Sequence, residues 1–137
     1  MKILALIISL FSISLSQAQE ETQNYSISVT VPNVYQEGGV VVFSLHTKDT
    51  FMKKPFQVIS SKIDNKTATA TFTDIPIGTY AVLVLHDKNE NNKMDFNANG
   101  MPAEAYGISN NVMTMGPPRF EDAKFNLNED LEFEVKF

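Results

Sequence analysis

Cysteine is absent from all 137 residues, and with it go disulfides, thiolate metal sites and any cysteine nucleophile. Tryptophan is absent too, and the modest aromatic content weakens a sugar site built on stacked rings. Positive charge is scarce: 11 Lys and Arg face 16 Asp and Glu, a net charge of −5. The clustered cationic surface that holds nucleic-acid phosphates is therefore not expected. No apolar run reaches the roughly 20 residues that a membrane-crossing helix needs. A nucleophile elbow, a phosphate-cradling loop and a zinc-protease helix are also missing.

The nearest approach to a long apolar run is at the start. Met1-Lys2 leads into a stretch from Ile3 to Leu15 broken only by serines, and Ser16-Gln17-Ala18 sets small residues at the two positions that signal peptidase reads. Residues 1–18 thus read as a cleaved secretory signal, 19–23 as a frayed polar N-terminus, and 24–137 as one domain. The mature chain of roughly 120 residues buries about two-thirds of its unfolded surface, enough for one core without staples. Loss of Lys2 makes it one charge more negative. The expected location is outside the cytoplasm, as a periplasmic, envelope-associated or secreted protein without a transmembrane segment after cleavage.

The body of the chain has the period of β-structure. Tyr25, Ile27, Val29 and Val31 alternate with Ser26, Ser28 and Thr30, and Ala68, Ala70 and Phe72 alternate with threonines; both read as half-buried strands. Val40 to Leu45 and Tyr80 to Leu85 are apolar throughout, as strands covered on both sides would be, while Phe56 to Ile59 is a weaker candidate. Pro76 and Gly78 suit a tight reversal, the proline by fixing φ and the glycine by accepting a positive one. At the end, 123–127 and 131–137 alternate around Asn128-Glu129-Asp130 and read as a hairpin. About seven strands, no long amphipathic helix and no internal repeat predict an all-β fold, an antiparallel β-sandwich with one wet face on its sheets. Residues 86–118 form its long loop. Phe96, Met101, Tyr106, Ile108, Met113 and Met115 are expected to pack that loop onto the domain.

The first part of this loop carries chemistry. Leaving the apolar strand, Asp87, Asn89, Asn91 and Asp95 place oxygen-bearing side chains at the first, third, fifth and ninth positions, a spacing that suits calcium. The seventh ligand in such loops is a backbone carbonyl, so Lys93 is tolerated there. Two departures stand out. Asn92 takes the sixth position, where glycine usually makes the turn, and Ala98 takes the twelfth, where a bidentate carboxylate belongs. Glu104 is the residue that could fold back to replace it. With few carboxylates the affinity expected for Ca2+ is weak, on the order of 10⁻⁴ M. The competing reading is an Asx-rich turn in which Asp and Asn cap backbone donors.

The pattern His86-Asp87-x-Asn89-x-Asn91-x-x-x-Asp95, then Gly100-x-Pro102-x-Glu104-x-Tyr106-Gly107-x-Ser109-Asn110, then Gly116-Pro117-Pro118-x-Phe120-x-Asp122-Ala123, resembles the bacterial family called domain of unknown function 2141 (DUF2141). The resemblance covers most of the mature chain. It implies an exported or envelope-associated protein and a transthyretin-like or carboxypeptidase-regulatory-like, Ig-like Greek-key sandwich, with no established activity. Asp74-Ile75-Pro76-x-Gly78-x-Tyr80 resembles a turn and strand of such sandwiches.

The expected function is a non-enzymatic envelope module that presents the 96–118 segment to a protein or glycan partner. Its metal ligands are Asp87, Asn89, Asn91, the Lys93 carbonyl, Asp95 and Glu104. The rival readings are a periplasmic hydrolase using His86 and Glu104 and a small outer-membrane barrel, suggested by the alternation that ends on Phe137. Further candidates are a transition-metal site at His46 or His86, copper on Met94, Met101, Met113 and Met115, and a carboxylate pair of Asp95 and Glu104 for sugar hydrolysis.

Overall fold

The computed structural model describes residues 21–137; the signal-peptide reading of 1–18 lies outside the described residues. The strands are β1 (Asn24–Val31), β2 (Val40–His46), β3 (Gln57–Lys62), β4 (Ala68–Pro76), β5 (Gly78–Asp87), β6 (Tyr106–Ile108), β7 (Phe125–Leu127) and β8 (Leu131–Glu134), with one short helix, α1 (Phe120–Ala123). They form two sheets. One has the order β4-β1-β8; the other runs β3-β2-β5-β6, with β7 also paired to β5.

Alternation decides which face each strand buries. Ile27, Val29 and Val31 of β1, and Ala68, Ala70 and Phe72 of β4, are buried on the inner face of the smaller sheet. Val41, Phe43 and Leu45 of β2, with Tyr80, Val82 and Val84 of β5, meet them from the larger one, and all belong to a single apolar cluster. Each fully buried side chain of this size is worth roughly 1.5–3 kcal/mol. Outside, Ser28 and Thr71 hydroxyls meet at 3.0 Å and Thr30 and Thr69 at 3.2 Å across the wet face. The two-sheet, sandwich-like all-β reading is met.

The ends of the chain depart from it. The two last strands are not a hairpin: β7 pairs antiparallel with Gly78–Tyr80 of β5, whereas β8 runs parallel to β1 in the other sheet. The 128–130 turn therefore crosses between sheets, and Asp130 fixes it by accepting a hydrogen bond from the Ser26 N–H at 2.8 Å. Alternation marks a strand but not its neighbour, so a short turn reads like a local pairing. The parallel pair also means that the sandwich is not wholly antiparallel. Because the sheets remain separate, the outer-membrane barrel is not formed. No helix of the described residues is long and apolar enough to cross a membrane.

The reversal between β4 and β5 is as tight as expected, with only Ile77 between them. The positive φ sits elsewhere: Asp74 has φ 57°, beside the irregularity where the β1–β4 register shifts, and Gly78 is not in the left-handed region. The Tyr80 hydroxyl closes the reversal by donating to the Pro76 carbonyl at 2.9 Å. Burial of Tyr80 pushes its pKa up.

Candidate functional site

Strand β5 is the element that delivers the site. It lies between β2 and the β6/β7 edge, and its last residue, Asp87, is fully buried opposite Val40. Gly39 is what lets the chain close on this point. It has φ +75°, and a Cβ built there would stand 2.2 Å from the Asp87 carbonyl oxygen. Read from the sequence, Gly38-Gly39 is only a turn; its packing against the start of the loop has no local signal.

From Asp87 the loop wraps around a carboxylate. Asp87 Oδ1 accepts from the Asn91 N–H at 3.1 Å and Oδ2 from the Asn92 N–H at 2.7 Å. Asn92 holds φ 61° and Glu90 φ 56°, so the sixth position takes the left-handed turn without a glycine. Asn89 and Asn91 converge on the third acid. Asn89 Nδ2 lies 2.7 Å from Asp95 Oδ2, and Asn91 Nδ2 lies 2.9 and 3.0 Å from the two Asp95 oxygens. Lys93 is exposed, and its N–H donates to Asn91 Oδ1 at 3.1 Å.

The missing carboxylate returns from outside the loop. Residues 95–103 make a small excursion whose sides are joined by Ala103 N–H to Asp95 O at 2.8 Å and Asn97 N–H to Met101 O at 2.8 Å. Ala98, the twelfth position, lies exposed within that excursion. The excursion ends by placing Glu104, only 7 % exposed, back on the loop. Its Oε1 accepts from the Lys88 N–H at 2.9 Å and its Oε2 from the Asp95 N–H at 3.3 Å. One carboxylate thus spans the first and last turns of the loop. A hydrogen bond from His86 N–H to Ala105 O at 2.8 Å then runs the returning chain along β5.

The arrangement brings Asp87, Asn89, Asn91, Asp95 and Glu104 into one hydrogen-bonded unit. As it stands the unit is an Asx-type cap: carboxylates receive backbone and amide donors. Every buried side-chain polar atom of the described residues has a partner. Among the described residues, no three His, Cys, Asp or Glu side chains converge as a metal-ligand group. A hard cation here would have to be held by a mixed set of carboxylate, amide and backbone oxygens.

The histidines stand apart. His86 Nε2 is 2.7 Å from the Gly38 carbonyl oxygen, so Nε2 carries a proton; the ring stacks on Phe137 with centroids 6.2 Å apart. It bonds to the β1–β2 connection and not to the Asp/Asn loop or to Glu104. His46 is buried at the far end of β2, with Nδ1 2.9 Å from the Thr50 carbonyl oxygen and its ring edge-on to Phe51. Burial holds its pKa below the ordinary value, more than the Thr50 hydrogen bond raises it.

Past Glu104 the segment is pinned by three consecutive side chains. Ser109, buried, donates to the Ala123 carbonyl and accepts from the Val82 N–H. Asn110 donates to the Asp122 and Lys124 carbonyls, and Asn111 bridges the Glu134 carbonyl and the Lys136 N–H. The sequence does not announce this clamp, because polar residues at a strand end look like any turn. The expected packing of the segment's apolar residues is only partly met. Ile108 is buried, but Phe96, Met101, Met113 and Met115 are exposed, the last two almost completely.

The structure therefore defines an all-β, two-sheet domain whose central strand ends in an acidic and amide-rich loop closed by a distant glutamate. The chain belongs to the bacterial family DUF2141, described as an uncharacterized protein conserved in bacteria, whose model matches residues 29–134. No curated protein and no solved structure matches it.

Proposed function

We propose that the chain is an exported, non-enzymatic β-sandwich module of the bacterial envelope whose Asp/Asn loop is stabilised by calcium and displays the 96–118 segment to a protein or glycan partner. The observation that carries this reading is Glu104. Its return across the loop brings a carboxylate that the linear spacing lacks onto the backbone N–H groups of Lys88 and Asp95. Each Asp87 and Glu104 oxygen accepts one protein hydrogen bond and has a second lone pair to offer. Half-turns of the Asn89 and Asn91 amides would exchange nitrogen for oxygen next to Asp95. The Lys93 carbonyl completes the ligand set.

The non-enzymatic part is supported by the positions of His86 and Glu104, which spend their hydrogen bonds on backbone groups and not on each other. We further read the sandwich as a transthyretin-like or carboxypeptidase-regulatory-like Greek key. The back-bond from the Tyr80 hydroxyl to Pro76 supports this, because a tyrosine bonding a few residues upstream marks the corner of such sandwiches.

Melting curves in calcium, magnesium and chelator test the ion. At ten times its dissociation constant calcium adds about 1.4 kcal/mol, several degrees for a domain of this size. Asp87→Ala removes the response. Curves that coincide through millimolar calcium sink the calcium reading, and an equal response to magnesium replaces it with general divalent screening.

A further inference from the structure

A second feature lies at the β5 end and shares His86 and Lys88 with the start of the loop. The β1–β2 connection, the 86–88 turn and the 136–137 end border a half-open cleft of about 430 Å³, within the range of small-ligand sites. Tyr35 and Phe137 line it. Tyr35 is 98 % exposed although its neighbour Val34 is fully buried and anchored by a hydrogen bond to the Lys66 carbonyl. The backbone thus holds a large ring out in water beside a fixed point, with no protein surface to cover it. Phe137 is held by stacking on His86, which Gly38 in turn holds in place.

The other lining groups give the cleft a sign. Lys88 and Lys136 border it, in a chain whose net charge is −5, while Asn33 and Gln36 add side-chain amides that donate and accept. Asp87 and Glu104, the buried acids of the adjoining loop, are already occupied by backbone donors. Two ammonium groups select an anion, exposed rings select a flat C–H face, and amides suit hydroxyls. We propose that this cleft is a binding site for an acidic sugar, a uronate whose carboxylate meets Lys88 and Lys136 and whose ring lies on Tyr35 or Phe137.

The site has a fixed frame. Gly107 sits where a Cβ would meet the Lys136 carbonyl oxygen at 2.4 Å, and Lys136 N–H is held by Asn111. The backbone of the 136–137 wall is therefore positioned before any ligand arrives, which lowers the entropy lost on binding. The proposal rests on the reading of the chain as a binding module and is independent of calcium.

The test is an amide chemical-shift titration of the protein, in chelator, with a galacturonate trimer. Maltotriose supplies a neutral sugar of similar size and benzoate a carboxylate on an aromatic ring. Expected are saturable shifts at Tyr35, Lys88 and Phe137 with a dissociation constant of about 1 mM, weakened by added salt. Lys88→Ala combined with Lys136→Ala, and separately Tyr35→Ala, should each weaken binding at least tenfold; all three side chains are exposed, so folding is retained. Absence of saturation by about 20 mM, equal binding of maltotriose or benzoate, or indifference to the variants overturns the site. Shortening of the trimer during the titration would leave the cleft standing and sink the non-enzymatic reading instead.

Discussion

The segment that follows β5 has two halves built on opposite terms. From Asp87 to Asn111 the chain has little apolar burial, yet it is held by Asp87, Glu104, Ser109, Asn110 and Asn111, each bonding to backbone remote in the loop or in the fold. From 112 to 117 every residue is exposed, although Val112, Met113 and Met115 are apolar. Hydrophobicity would rank these halves the wrong way round. In irregular backbone the groups that must be satisfied are the N–H and C=O, so order follows the polar side chains that reach them.

The comparison breaks most sharply at Gly39. Gly39→Ala should destabilise the protein by about 3 kcal/mol in chemical denaturation, because it combines a left-handed residue with a backbone clash at the start of the ordered half. Gly38→Ala next to it meets nothing within 4 Å and is the control, with little change expected. Similar effects of the two would mean that the close approach to Asp87 contributes no stability.

A step below this comes the carboxylate. Asp87→Ala leaves the Asn91 and Asn92 donors without their acceptor and should cost about 2 kcal/mol. Glu104→Gln keeps one oxygen but turns an amide toward the other donor, so about 1 kcal/mol is expected. Amide hydrogen exchange reads the same effect locally: Lys88, Asn91 and Asn92 should lose protection. Unchanged protection in both variants would show that the loop is held by something other than these acids.

Much of this was legible in the sequence, and the limits have a physical cause. The burial of Ile27, Val29 and Val31 and the paired exposure of the β4 threonines follow from side-chain period, and the central place of β5 from its unbroken apolar run. The loop residues could be named because Asp and Asn alternate, and Glu104 because a carboxylate was missing. What could not be read is any relation between distant segments. The separate destinations of β7 and β8, the contact of Gly39 with Asp87 and the gathering of Tyr35, Lys88 and Phe137 all join positions far apart in the chain, with no local pattern to announce them.

His46 provides a milder test at the other anchor of the ordered half. Its ring meets Phe51, and Phe51 meets Phe120 of α1, in the small cluster that also buries Ile108. Since burial lowers the His46 pKa in the folded chain from its ordinary 6.5, the unfolded chain binds the proton more readily. Stability from this group is complete above about pH 6.5 and declines as pH falls through 6.5 toward the folded value. His46→Asn, which can keep a donor near the Thr50 carbonyl, should flatten that part of the stability profile. A profile of identical slope in the variant would assign the acid sensitivity to other groups.

The smallest effect is expected in the open half, and it is the one that most sharpens the contrast. Met113→Ala with Met115→Ala removes two thioether side chains that touch water on nearly all sides, so the melting temperature should move by less than the equivalent of about 0.5 kcal/mol. If the segment is a display surface, the same double variant should instead reduce retention of the protein on isolated bacterial envelopes, while Asp87→Ala reduces it only in proportion to unfolding. A double variant that destabilises as much as Asp87→Ala would mean that 112–117 packs in solution, and the division between a bonded half and an open half would fail.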